Sequence, residues 1–177
     1  MPRRRPTPDL RPATADDVPA LAALERSAMP DPWSAGMVAG ELEQEDALVL
    51  VARDGEDGGG EGSERSPIAY ASYRGAAGEA ELLRLAVDPA RRREGLATAL
   101  LVAGDRALAE RGCVACFLEV RADNTTAIAF YERSGFHRIG RRRGYYAPRP
   151  ADQRDAATGD GRVDALVYAR AIVTASE

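Results

Sequence analysis

The sequence predicts a single α/β domain of the α+β kind, and three observations support this. The 177 residues suffice for one domain with a real core. Short apolar runs alternate along the chain with stretches whose apolar residues recur at helical spacing. The most informative stretch is Leu82-Leu83-Arg84-Leu85-Ala86-Val87-Asp88-Pro89, followed by Arg92-Arg93-Glu94-Gly95-Leu96-Ala97. It reads as an apolar strand, a turn, a loop of arginine and glycine, and then a long amphipathic helix. That order aims backbone N–H groups at one spot, at the positive end of a helix dipole, where a phosphate is expected to bind.

The elements follow in chain order. Residues 1–8 read as an arginine-rich disordered arm, and residues 9–177 as one domain. Residues 9–12 begin an edge strand. Thr14 is an N-cap, with Asp16 and Asp17 in the first turn, for a helix to about Arg26 that presents Val18, Leu21 and Leu24 on one face. Residues 29–33, with two prolines, form a turn, and Ser34 caps a second helix to about Gln44. Ala47–Arg53 is a strand. Residues 54–67, rich in Gly, Glu and Ser, form a long hairpin loop. Strands follow at 68–74 and 80–87. From 95 to 111, Leu96, Leu100, Ala103 and Ala107 mark a helix whose face Leu101 and Leu108 widen. Residues 116–120 form a short buried strand. Asn124 or Thr125 caps a helix that stops at Ser134-Gly135. Strands at 137–146 and 164–172 complete the domain, with a long loop at 149–162 between them. No internal repeat is present.

Composition narrows the function. All 24 basic residues are arginine, so the chain has no ε-amine for Schiff-base chemistry. The net charge of −4 argues against general coating of nucleic acid. No apolar run reaches the roughly 18 residues of a membrane span, and Met1-Pro2-Arg3-Arg4-Arg5-Pro6 lacks the apolar stretch of a secretory signal. A cytoplasmic location is expected. Cys113 and Cys116 have the spacing of redox and zinc motifs, but no second cysteine pair exists. The lone His137 is not at a ligand-like spacing and reads as a surface residue. Two buried thiols and no metal are the better reading.

Candidate chemistry lies in two further places. Glu119 sits in the apolar run Cys116-Phe117-Leu118-Glu119-Val120, where lost hydration suits a general base. It can equally be a structural ion pair with Arg84, Arg93 or Arg121. Tyr131 reads either as a core aromatic beside Phe130 and Phe136 or as a proton donor. Adjacent helical positions face different ways, so Phe130 and Tyr131 are not expected to share one core fully. A phenol of pKa about 10 can protonate a departing thiolate of about 8.5 only at close range. Trp33 and the pair Tyr145-Tyr146 either wall a groove or close the core edge. On a regular strand the two tyrosines face opposite sides. Together the residues suggest acyl transfer from a phosphate-bearing carrier.

The pattern resembles the GNAT superfamily of N-acetyltransferases over residues 10–172. Arg92, Gly95 and Ala97 match that family's Gln/Arg-x-x-Gly-x-Gly/Ala loop. Within the superfamily the chain is most similar to the RimI type, which acetylates the N-terminal alanine of a small-subunit ribosomal protein. The residues that carry this are Pro32-Trp33-Ser34, Ala86-Val87-Asp88-Pro89, Leu118-Glu119-Val120-Arg121-Ala122 with Asn124, Tyr131-Glu132 with Gly135-Phe136, and Arg143-Gly144-Tyr145-Tyr146. The resemblance implies a mixed, mostly antiparallel central sheet flanked by helices, with a splayed strand pair that admits acetyl-CoA. It implies cofactor contacts from Leu85, Ala86, Val87, Arg92, Arg93, Glu94, Gly95, Leu96, Ala97 and Asn124. An N–H near Val87 would polarise the thioester, Glu119 would take the proton from the incoming ammonium through water, and Tyr131 would protonate the CoA thiolate. Trp33, Tyr145 and Tyr146 would shape a peptide groove. Members usually carry a Glu-Asp pair before the last strand; here Val163-Asp164 keeps only the second acid. Two rival readings are an acetyltransferase of a small amine or antibiotic and a non-catalytic acyl-CoA-binding module; a third is a ribosome-binding accessory protein without a cofactor.

Overall fold

The computed structural model describes residues 8–54, 66–148 and 161–172. The expectations for the N-terminal arm and for the two long loops therefore fall almost wholly outside the described residues. Seven strands form one sheet in the order β1-β2-β3-β4-β5-β7-β6. They are β1 (Asp9–Pro12), β2 (Ala47–Arg53), β3 (Ala69–Ala76), β4 (Glu79–Val87), β5 (Ala115–Arg121), β6 (His137–Tyr146) and β7 (Val163–Ala171). Every neighbouring pair is antiparallel except β4 with β5. The helices are α1 (Val18–Ala28), α2 (Ala35–Leu42), α3 (Leu96–Glu110) and α4 (Thr125–Arg133).

Strand period sorts the core into two layers. On β2, Val49 and Val51 join Leu21 and Leu24 of α1 and Val38 of α2 on one face. Leu48, Leu50 and Ala52 point the other way, into a cluster with Leu96, Leu100, Leu101 and Leu108 of α3. Helix α3 comes close to β3 because position 104 is glycine. A Cβ there would lie 2.5 Å from the Tyr73 hydroxyl. The β3–β4 hairpin turns through Ala77 and Gly78, both at positive φ (54° and 87°), as a tight two-residue turn requires.

Several ends differ from expectation. Helix α1 runs two residues past Arg26 and is entered through a short 3₁₀ turn, Ala15–Asp17. Asp17 does more than complement a helix dipole. It is buried, and it accepts hydrogen bonds from Arg11, Arg53 and the Thr14 N–H. Helix α2 starts where Ser34 Oγ accepts from the Met37 N–H, and stops at Leu42. Of the two caps expected for α4, Asn124 is the one used, its side chain accepting from the Ala127 N–H at 3.2 Å.

Two irregularities shape the region that follows. Tyr73 pairs with Leu82 but Ser72 with Arg84, so Leu83 is an extra residue on β4. Such a bulge bends the strand that carries it. On β6 the register with β7 shifts between Arg142 and Tyr146, and Gly144 takes a φ of +56°.

Candidate active site

The bulge at Leu83 coincides with the end of the parallel ladder. β4 and β5 pair from Glu79 with Ala115 to Leu82 with Leu118, and no further. Beyond that point the strands part, as the splayed pair requires. The Asp88 N–H donates at 2.9 Å to the carbonyl of Ile68, the residue just before β3. By the two-residue alternation of an antiparallel ladder, Ala86 also bonds toward β3, whereas Leu85 and Val87 turn their N–H and C=O groups toward β5. Ala86 is buried on the α1 side. Leu85 and Val87 pack against the α3 side. What these three residues offer the gap is mostly backbone.

The loop after β4 presents a second set of N–H groups. Arg93 and Gly95 both take left-handed φ values, 64° and 82°. Alternation of such residues with ordinary ones makes an anion-binding concavity of N–H groups. The first bond internal to α3 runs from the Ala99 N–H to the Gly95 carbonyl. The N–H groups of Leu96, Ala97 and Thr98 therefore have no helical acceptor. Nothing lies within 4 Å of a Cβ built on Gly95, so backbone conformation is what demands glycine there. Side chains of the loop are partly committed. Arg91 pairs with Asp54 at 2.7 Å and with Glu94 at 2.9 Å, which draws Glu94 to a guanidinium. Arg92 donates to the Ala28 carbonyl at 3.2 Å. Leu96 is buried in the core, leaving only its backbone for a ligand. These features fit a pyrophosphate on the loop and an extended arm along the parted strands, the parts of a CoA thioester.

Across the gap, Glu119 is the first β5 residue beyond the ladder. It is neither isolated among apolar groups nor paired with Arg84, Arg93 or Arg121. Its Oε1 accepts from Arg142 Nη1 at 2.6 Å, and its side chain is 21 % exposed. Arg142 also stands 4.3 Å over the Tyr145 ring. Arg121 instead grips Asp123, at 2.8 Å, and lies 5.5 Å over the Tyr146 ring. The two tyrosines do not face opposite sides. Their rings meet edge to face at 5.1 Å, because the irregular stretch of β6 breaks the strand period. Asp164 pins that stretch: it accepts from the Gly144 N–H at 2.7 Å and pairs with Arg141. Burial, and next the charge of Glu119, push the Tyr146 phenol above its ordinary pKa.

Tyr131 sits 5.4 Å from Phe130 and 5.7 Å from Phe136, ring to ring. Phe130 and Tyr131 both pack against the α3-side core but are only partly buried, so neither enters it fully. Burial, then the neighbouring Cys116 thiol and Tyr146 phenol, hold the Tyr131 hydroxyl above the ordinary phenol value. It therefore stays protonated, as a proton donor must. Cys113 and Cys116 are buried, free thiols. Burial first of all pushes Cys116 up to about 12. Among the described residues no group of three potential ligands could hold a metal ion. No described helix is long and apolar enough to cross a membrane.

Trp33 lies on the other side of β4. Its ring is stacked under Arg84, with the guanidinium carbon 4.9 Å from the ring centroid. Sequence reasoning missed the partner that anchors both, Glu25. Nothing in its local sequence sets this helical glutamate apart from a solvated one. Arg142 was missed as well, because it lies on β6, which reaches β5 only across β7.

Comparison with known proteins agrees with this geometry. Residues 18–136 match the model of the acetyltransferase (GNAT) family. The chain is 34% identical over 153 residues to the [ribosomal protein bS18]-alanine N-acetyltransferase of Escherichia coli K12, covering 86% of this chain and 90% of that one. The crystal structure of the E. coli ribosomal-protein-S18-alanine N-acetyltransferase superposes with a TM-score of 0.75 at 34% identity, over 97% of each chain. Arabidopsis thaliana NAA60 in complex with acetyl-CoA shares the fold, with a TM-score of 0.75 at 20% identity, over 94% of this chain and 99% of that one.

Proposed function

Because the chain belongs to the GNAT acetyltransferase family and is an acetyl-CoA-dependent N-acetyltransferase, we propose that its acceptor is the N-terminal amine, on alanine, of a small-subunit ribosomal protein. The parting of β4 and β5 after Leu82 and Leu118 carries the site assignment. It leaves N–H groups on one strand facing a carboxylate on the other. The extent of the likeness to the E. coli bS18-alanine acetyltransferase supports the acceptor. A cytoplasmic location follows from such an acceptor.

Bound acetyl-CoA supplies an activated acetyl group as a thioester. The N–H groups of Arg93 to Thr98 hold its pyrophosphate, and Arg92 and Arg93 add charge beside it. Asn124, at the N-terminus of α4, adjoins the pantetheine arm. The Val87 N–H donates to the thioester oxygen as negative charge develops there. An α-amine has a pKa of about 7.7–8, so a modest base suffices to free it. Glu119 takes that proton, directly or through one water, on Oε2, since Arg142 occupies Oε1. Tyr131 donates its proton to the departing sulfur. Trp33, Tyr145 and Tyr146 line the path of the acceptor. Holding both substrates in one cleft supplies much of the acceleration.

The test is release of CoA thiol by the purified protein with acetyl-CoA and short peptides starting with Ala, Ser or Met, beside polyamines and aminoglycosides. Mass spectrometry locates the acetyl group. Turnover confined to the N-terminal amine of Ala-starting peptides is expected. Turnover only on small amines would overturn the acceptor and keep the chemistry.

A further inference from the structure

We propose that Arg84 and the buried Glu25 form a clamp that selects the acceptor by fixing the Trp33 ring, a role that rests on the acceptor path assigned above. Glu25, in the last turn of α1, is fully buried. Three donors converge on its carboxylate. Tyr70 Oη donates to Oε1 at 2.5 Å, and the Trp33 N–H and Arg84 Nη2 each donate to Oε2 at 2.8 Å. Burial, followed by the hydrogen bond to Glu25 and then its charge, holds the Tyr70 phenol above its usual value, so it remains a donor. Arg84 also donates to the Asp31 carbonyl and stacks on Trp33.

One guanidinium thus grips the turn between α1 and α2 at its backbone, at its buried anchor and at its aromatic ring. Arg84 is itself the first residue after the β4 bulge, on the stretch that ends at Leu85 to Val87. Its charge also reaches Tyr146, another of the aromatics assigned to the acceptor path. The clamp therefore ties the position of Trp33 to the strand beside which the thioester would lie. A short polar side chain in Trp33's place, or a loosened turn, would leave the acetyl-CoA contacts intact and alter only what the acceptor meets. Arg84 and Glu25 are positioning residues: they act through Trp33.

The chain has a single tryptophan, so Trp33 reports on itself. Arg84→Lys keeps a cation beside Glu25 but lacks the planar fork that bonds Glu25 and the Asp31 carbonyl while stacking on the ring. Acrylamide quenching of Trp33 should rise about twofold in this variant. With an Ala-starting peptide, the acceptor KM should rise about tenfold, while kcat and the acetyl-CoA KM stay within twofold. An unchanged acceptor KM, or a loss that falls on acetyl-CoA instead, would overturn the clamp. A merely structural role would lower the melting temperature without this split. If Arg84→Lys does not fold, Trp33→Phe, in the turn itself, must reproduce the rise in acceptor KM, and failure to do so overturns the proposal. If the wild type acetylates only small amines, the peptide reading fails on its own, and the same split measured with that amine decides the clamp.

Discussion

The two halves of the β4–β5 seam make opposite use of the same pair of strands. In the paired half, Ala80, Leu82, Cys116 and Leu118 are all buried and apolar, and the backbone is spent on the ladder. In the parted half, Leu85 and Val87 keep backbone groups turned to the gap, and Glu119 and Arg121 bring charge to it. The change takes one residue: Leu83, inserted as a bulge, ends the ladder. The candidate site thus arises from the loss of a hydrogen-bond pattern, in strands whose other half is needed to hold the parted ends in place.

Substitutions on the two sides of the boundary should separate accordingly. Glu119→Gln, just beyond it, should lower kcat about a thousandfold, with the melting temperature little changed. Equal loss of stability and activity would break the comparison. Leu118→Ala, just before it, should cost about 3 kcal/mol of stability in denaturant titration, from a cavity in the α3-side core, with kcat per folded molecule nearly intact. Tyr131→Phe should lower kcat about a hundredfold. Because burial raises the Tyr131 pKa, its protonated form persists upward in pH, and the wild-type kcat should show no alkaline fall below about pH 10. A fall near pH 8 that disappears in Tyr131→Phe would reverse that assignment. The smallest effect is expected at Cys116 in the paired half. Pushed up to about 12 by burial, its thiol should resist iodoacetamide at pH 8 in the native protein, and mass spectrometry should find it unmodified. Alkylation without unfolding would show that the paired half is open.

Much of the fold was legible because its signals are local. The apolar run of β2 and the exposed, arginine-rich run of β6 have the expected ends, and α3 departs by one residue at either end. The glycine-bearing loop before α3, proposed to hold the pyrophosphate, was legible for the same reason, since glycine and the helix start are contiguous. The partner of Glu119 was not. Arg142 lies 23 residues away, on a strand placed by the order β5-β7-β6, which no local pattern announces. Glu25 was missed because a helical glutamate is ordinarily solvated. Its burial depends on Arg84, 59 residues later in the chain. The contact between Tyr145 and Tyr146 escaped because strand alternation fails where Gly144 bends β6.

Amide hydrogen exchange with and without CoA tests the central claim most directly. The amides of Leu82 and Leu118, within the ladder, should be protected in both states. Those of Leu85, Val87, Leu96 and Ala97 should exchange quickly alone and slow by tenfold or more when CoA is bound. Unchanged exchange at Leu85 and Val87 under saturating CoA would contradict the account, because the parted strands would then not be where the thioester lies.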